Sequence, residues 1–187
     1  MFKKIGVAFL VAAATLTAAP AFAFETLVSQ IHKNQDGSHT FYFAIKLGPD
    51  ETLTPGDKAS ADFMTVYNFY GLIDGSAKSP EGWEFSSEQF GRTPTMNGYP
   101  TVMPLDVPNT PNLTWTVTSR SRRAQVDGFT ATTRVNTTIQ GEYSAQVTRN
   151  PSAVQVEASS TPAVTRQSSK QALIGMLPTP SFLAEVN

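Results

Sequence analysis

The stretch from Asp62 to Phe90, DFMTVYNFYGLIDGSAKSPEGWEFSSEQF, decides what kind of fold this chain makes. It gathers Phe63, Tyr67, Phe69, Tyr70, Trp83, Phe85 and Phe90, in a chain that is 10% aromatic overall. Phe63 to Ile73 reads as a strand apolar on both faces, with Phe63, Tyr67 and Phe69 on one and Met64, Val66 and Tyr70 on the other. Such a strand belongs in the middle of a sheet rather than at its edge. Asp74 to Gly82 turns the chain, and Trp83 and Phe85 open the next strand around the polar Glu84.

Upstream, Glu25 to Lys33 and Ser38 to Leu47 read as a hairpin. Phe41, Phe43, Ile45 and Leu47 alternate with Tyr42, Ala44 and Lys46, the period of a half-buried strand. A two-residue Asp36-Gly37 turn would set His32 against Phe41. A type I turn with Gly37 left-handed instead pairs Ile31 with Phe41 and Leu27 with Ile45. A one-residue slip exchanges the two faces of a strand, so the bulged turn, which keeps one face apolar, is the expected one. Gly48 to Ala61 is a loop with two prolines and two glycines.

Downstream, prolines at 94, 100, 104, 108 and 111 interrupt Gly91 to Asn112. Proline lacks the ladder donor, so this segment reads as a long crossover between two sheets. Leu113, Trp115 and Val117 alternate with threonines as a strand, and Ser119 to Gln125 reads as a hairpin loop. Phe129 to Val135 and Gly141 to Arg149 form the last expected pair, with Val154 and Val156 as a short edge strand. Beyond Ala158 the chain turns to Ser, Thr, Gln and Pro, a composition expected to stay disordered. Seven to nine short strands without a helix-period run imply an all-β, antiparallel β-sandwich, Ig-like or jelly-roll-like.

The N-terminus reads differently. Lys3 and Lys4 precede the apolar Ile5 to Leu16, and Ala21-Phe22-Ala23 is a small-x-small cleavage site. That is the pattern of a secretory signal peptide, too short for the ~20 apolar residues of a membrane span. The expected division is a signal peptide over 1–23, a sandwich over 24–158 and a Ser/Thr/Pro-rich tail over 159–187. Removing the leader takes two lysines and leaves twelve basic against fifteen acidic residues, a net charge of −3. Such a balance disfavours nucleic acid as a partner. The absence of cysteine excludes thiol nucleophiles, Fe–S clusters and Cys-ligated zinc.

The same aromatic stretch, the proline-rich segment ending PNTPNLTWTVT and the later GEYSAQVTRN together resemble a group of exported bacterial proteins. Many of that group end in a PEP-CTERM sorting tail handled by exosortase. The resemblance covers roughly Gly37 to Asn150 and implies export and a β-sandwich without a known activity. The tail departs from the pattern. Pro178-Thr179-Pro180-Ser181 is followed by FLAEVN, with no apolar span and no terminal basic residue.

Chemistry-bearing residues are few. His32 and His39 fall on opposite faces of the bulged hairpin and cannot easily share a metal. Asp50, Glu51, Asp57 and Asp62 crowd one loop and are the calcium candidates, since calcium takes six to eight oxygen ligands. Glu84 and Glu88 share a strand face, but regular strand geometry separates their α-carbons by roughly 13 Å, beyond the 5–9 Å spacing of glycosidase carboxylates. There is no GxSxG elbow, HExxH motif or P-loop. The expectation is therefore a protein without catalysis or cofactor.

Of the aromatic residues, Trp83, Trp115, Tyr67, Tyr70 and Tyr99 could form a sugar-stacking platform. Trp115 alternates with core positions, while Tyr99, between Gly98 and Pro100, is the best placed for a ligand. Arg120, Arg122 and Arg123 on one loop could meet anionic polysaccharide, phosphate or a membrane surface. The reading that follows is an exported, secreted or cell-surface component of the matrix that presents loops from a rigid scaffold. The alternative is a carbohydrate-binding module for exopolysaccharide.

Overall fold

The computed structural model describes residues 24–96, 99–100, 104–150 and 169–182, with the side chains of 95–100 outside the description. The expected leader, Val154, Val156 and the Tyr99 side chain therefore lie outside the described residues.

Strands β1 (Glu25–Lys33) and β2 (His39–Lys46) form the expected hairpin. Gly37 sits at φ +83°, its N–H donating to the Asn34 carbonyl at 3.1 Å, while Asn34 N–H donates to the Ser38 carbonyl at 2.8 Å. This is the bulged turn, and Ile31 lies opposite Phe41. The pairing of Leu27 with Ile45 does not hold. The register shifts between Val28 and Gln30, which puts Thr26 opposite Ile45 and Leu27 opposite Ala44. One extra residue exchanges the faces of a strand. Thr26 is accordingly buried, while Ile31 is 39% exposed.

The remaining strands are β3 (Glu51–Thr52), β4 (Phe63–Val66), β5 (Trp83–Glu88), β6 (Thr95–Met96), β7 (Tyr99–Pro100), β8 (Asn112–Val117), β9 (Gln125–Thr133), β10 (Thr138–Arg149) and β11 (Ser169–Pro180). One sheet runs β1-β2-β9; the other runs β11-β10-β4-β8-β5, with β3 also on β10. Strands β6 and β7 pair as a small separate ribbon. Every pairing is antiparallel, and the described residues contain no helix. The chain is an antiparallel β-sandwich.

Its core lies where the alternating faces meet. Phe41, Phe43, Ile45 and Phe129 come from the three-stranded sheet; Met64, Val66, Leu113 and Trp115 come from the other, and all eight are fully buried. The Trp115 ring lies 5.6 Å from Phe43, 5.3 Å from Phe85 and 5.8 Å from Phe129, tilted or edge-on in each case. These geometries suit the aromatic quadrupole, and such rings supply large buried area.

Further sequence expectations need correction. The strand begun at Phe63 stops at Val66, because Asn68 adopts φ +51° and turns the chain. It is nevertheless central, between β10 and β8. The two long connections also exchange roles. The proline-rich segment returns to the sheet it left, since β5 and β8 are neighbours with Trp83 opposite Val117. The arginine loop is no hairpin and carries the chain from β8 to β9 in the other sheet. Strands β9 and β10, expected to pair, lie in different sheets.

The expected disordered tail is overturned for 169–180, where β11 runs the full length of β10, from Ser169 opposite Arg149 to Pro180 opposite Thr138. A strand on an edge needs apolar residues only at alternate positions facing the core. Leu173, opposite Ala145, and Leu177, opposite Gly141, supply them, and Leu177 is 2% exposed.

The proline-rich segment roofs the outer face of the six-stranded sheet. Thr65, Thr114, Ser144 and Gln146 on that face are buried despite their polarity. The Thr65 and Thr114 hydroxyls bond each other at 2.9 Å. The Arg92 carbonyl accepts from Tyr67 Oη at 2.8 Å and Ser144 Oγ at 2.7 Å. Its guanidinium donates to the Ala61 carbonyl at 2.8 Å and lies 4.0 Å above the Phe63 ring. Further along, Asn112 Nδ2 donates to the Gln89 carbonyl at 2.8 Å and to Asp106 Oδ1 at 2.6 Å. Most buried polar groups in folded proteins are bonded in this way.

Candidate functional site

The crossing from β8 to β9 forms a cleft of about 370 Å³ beside the start of β5. Trp83 and Glu81 contribute from the β5 side, Arg120, Ser121 and Arg123 from the crossing loop, and Asp127 from β9. The loop is held firmly. Leu53 and Ser121 exchange both backbone hydrogen bonds, at 2.9 and 3.1 Å, and Leu47 N–H donates to the Ala124 carbonyl at 2.8 Å. Thr118 and Ser119 N–H both donate to the Gly82 carbonyl, at 2.8 and 3.2 Å. Gly82 sits at φ +80°, and a Cβ there would lie 2.3 Å from Ser119 Oγ. Only glycine lets the loop approach β5 this closely.

Two of the three arginines singled out in the sequence meet here. Arg120 and Arg123 line the cleft, are exposed, and join no salt bridge among the described residues. Arg122 is exposed and does not line it. Trp83 is 9% exposed, its ring fixed edge-on against Phe129 at 4.8 Å. Two guanidinium forks beside an aromatic wall and the Ser119 and Ser121 hydroxyls can grip a carboxylate, sulfate or phosphate with charge-assisted bonds. Glu81 and Asp127 in the same cleft disfavour a ligand of dense negative charge.

The other candidates fall elsewhere. Asp57 Oδ1 accepts from Ser60 N–H, Ser60 Oγ and Ala59 N–H within its own turn. Those bonds hold its carboxyl below the usual range, that of the Ser60 hydroxyl foremost. Glu51 is buried and accepts from Gly48 N–H at 2.6 Å. Asp50 is half-buried, its carbonyl accepting from Asn150 N–H. Asp62, fully buried, accepts from Lys170 Nζ at 2.7 Å, Thr54 N–H at 2.7 Å and Thr148 Oγ1 at 2.9 Å. Burial pushes its carboxyl above the ordinary range against the opposing pull of Lys170. The four calcium candidates thus serve four separate local roles. Among the described residues no three of His, Asp and Glu come together as a metal site.

Glu84 and Glu88 share a groove of about 440 Å³ on the outer face of β5 and β8, where Glu88 pairs with Lys58 at 2.7 Å. Trp115 is a core residue whose indole N–H donates to the Lys78 carbonyl at 3.0 Å. Tyr67 is buried, and Tyr70 packs edge-on against Phe182 at 5.5 Å. These aromatics form no common platform. His32 is exposed on β1 opposite Thr40, and His39 stands opposite Lys33.

No family model, curated protein or solved structure matches the chain. Among the described residues no helix is long and apolar enough to cross a membrane.

Sequence reasoning missed Arg92 and Lys170. Arg92 carried no pattern, standing alone in a segment read only for its prolines. Lys170 lay in a tail set aside by composition. For Asp62 the better signal is its place directly before the apolar Phe63, because an acid abutting a core strand needs a buried partner.

Proposed function

We propose that this chain is an exported, non-catalytic protein of the cell surface or extracellular matrix that contacts acidic polysaccharide through the Arg120/Arg123 cleft. The observation carrying this reading is the pairing in one cleft beside Trp83 of two arginines that join no salt bridge among the described residues. The leader-like N-terminus supports export. A sugar acid fits the mixed lining: its carboxylate takes the arginines, and its hydroxyls meet Glu81, Asp127 and the two serines. An isolated phosphate uses only part of that set.

The test is binding to a uronate polymer and to its carboxyl-reduced, neutral form. Binding to the uronate polymer alone is expected, weakening with salt as ion contacts do. Bonds to charged groups contribute about 1.5–3 kcal/mol each, so Arg120→Ala with Arg123→Ala should cost at least tenfold in affinity. Arg122→Ala should cost little. Equal losses for Arg122→Ala and the double variant would refute the cleft, and binding to anionic vesicles in place of the polymer would move the reading to a membrane surface.

A further inference from the structure

A second buried acid lacks the cation that Asp62 has. Glu51 is 8% exposed and stands in no salt bridge among the described residues. Its donors are neutral. Gly48 N–H gives to Oε2 at 2.6 Å, and Phe24 N–H gives to Oε1 at 3.4 Å. The Gln171 amide, with its nitrogen toward Glu51, gives to Oε1 at 3.0 Å and accepts from Arg149 Nη1 at 3.0 Å. Arg149 thus reaches this carboxylate only through an intervening amide. Arg149 stands opposite Glu51 in the register but makes no ion pair with it, and a buried carboxylate without a countercharge in contact is costly.

Phe24 is the residue at which the leader reading places the new N-terminus. Its side chain is 4% exposed and belongs to the core, so its nitrogen is fixed next to Glu51 rather than free to fray. We infer that hydrolysis of the Ala23–Phe24 bond completes the fold by turning this amide nitrogen into an α-ammonium paired with the Glu51 carboxylate. The step consumes one water, leaves a carboxylate on Ala23 and an amine on Phe24, and the amine takes a proton from solvent. A peptide nitrogen brings one hydrogen and no charge to Glu51. The ammonium brings three hydrogens and a full charge, in place of a bond that at 3.4 Å is long for an N–H donor. The leader would then do more than address the chain, because its removal creates the countercharge the acid lacks. This inference rests on the export reading given above.

The experiment starts with the protein secreted from its full-length gene, whose intact mass gives the first residue. A chain beginning at Phe24 is expected. The titration midpoint of its α-amine, followed by NMR, should fall by at least one pH unit in Glu51→Gln, a tenfold change in proton affinity. A form that keeps Ala23, released from a cleavable fusion, should show no such dependence on Glu51, because its amine lies one residue further along. If Glu51→Gln does not fold, the Phe24 and Ala23 forms are compared directly, and the Phe24 amine should titrate at least one unit higher. Equal midpoints in a chain that does begin at Phe24 would overturn the ion pair and leave export standing. A first residue elsewhere would overturn the ion pair together with the reading of the leader.

Discussion

Asp62 and Arg92 both carry charge away from water, and each meets the cost in a different way. Asp62 is ringed by Lys170, Thr54 and Thr148, yet burial still lifts its carboxyl above the ordinary range. Its folded-state affinity for a proton therefore exceeds that of the unfolded chain. Stability contributed by this group falls as pH rises from the usual carboxylate value through the raised one, and is recovered on acidification. Wild type should thus gain stability relative to Asp62→Asn as pH drops from 7 toward 4, measured as the difference in denaturant midpoints. A difference that shrinks on acidification would contradict this. Arg92 spends its charge on the Ala61 carbonyl and the Phe63 ring. A hydrogen bond from a charged donor is worth about 1.5–3 kcal/mol and a cation–π contact about 0.5–2 kcal/mol. Arg92→Ala should therefore cost about 2–5 kcal/mol in urea unfolding, and Arg92→Lys should recover only part, since lysine lacks the planar fork.

At the scale of elements, the strands were legible where side chains alternate and the loops were not. The runs Phe41 to Leu47 and Leu113 to Val117 announce both strand and facing, and the aromatic positions they place inward are buried. The hairpin turn was readable because Asp36-Gly37 permits only a few geometries. The Ser29 bulge was not, for nothing in ETLVSQIHK marks an extra residue. β11 is hard to read from sequence because its apolar run, Ala172 to Leu177, is short and set between Ser, Lys, Gln, Thr and Pro. Its docking has a direct check. Leu177→Ala should cost about 2–4 kcal/mol, the loss expected on truncating a fully buried leucine. A tail merely trailing from the domain would show no change. Of the candidate site, the arginines were visible as a cluster, but Trp83, Glu81 and Asp127 came together only through the crossing of the sheets.

For the whole molecule, fold class was legible and connectivity was not. Alternation reports which face of a strand is buried, whereas the choice of neighbour depends on which loops cross, and both long loops were read the wrong way round. The resulting topology joins distant parts of the chain. Thr40 on β2 bonds Thr132 on β9, 92 positions away, and Thr148 bonds Asp62 at a separation of 86. Loop-closure entropy must be met before such contacts form, and all-β domains of this kind fold in milliseconds to seconds. Stopped-flow refolding of residues 24–187 should fall in that range; microsecond refolding would be inconsistent with this topology. The pairing of Lys170 with Asp62 carries this furthest, since the two are 108 positions apart. A ribosome delivers residue 62 long before residue 170. The interior acid therefore waits for its lysine until β11 has been made, and only then does β10 gain its neighbour.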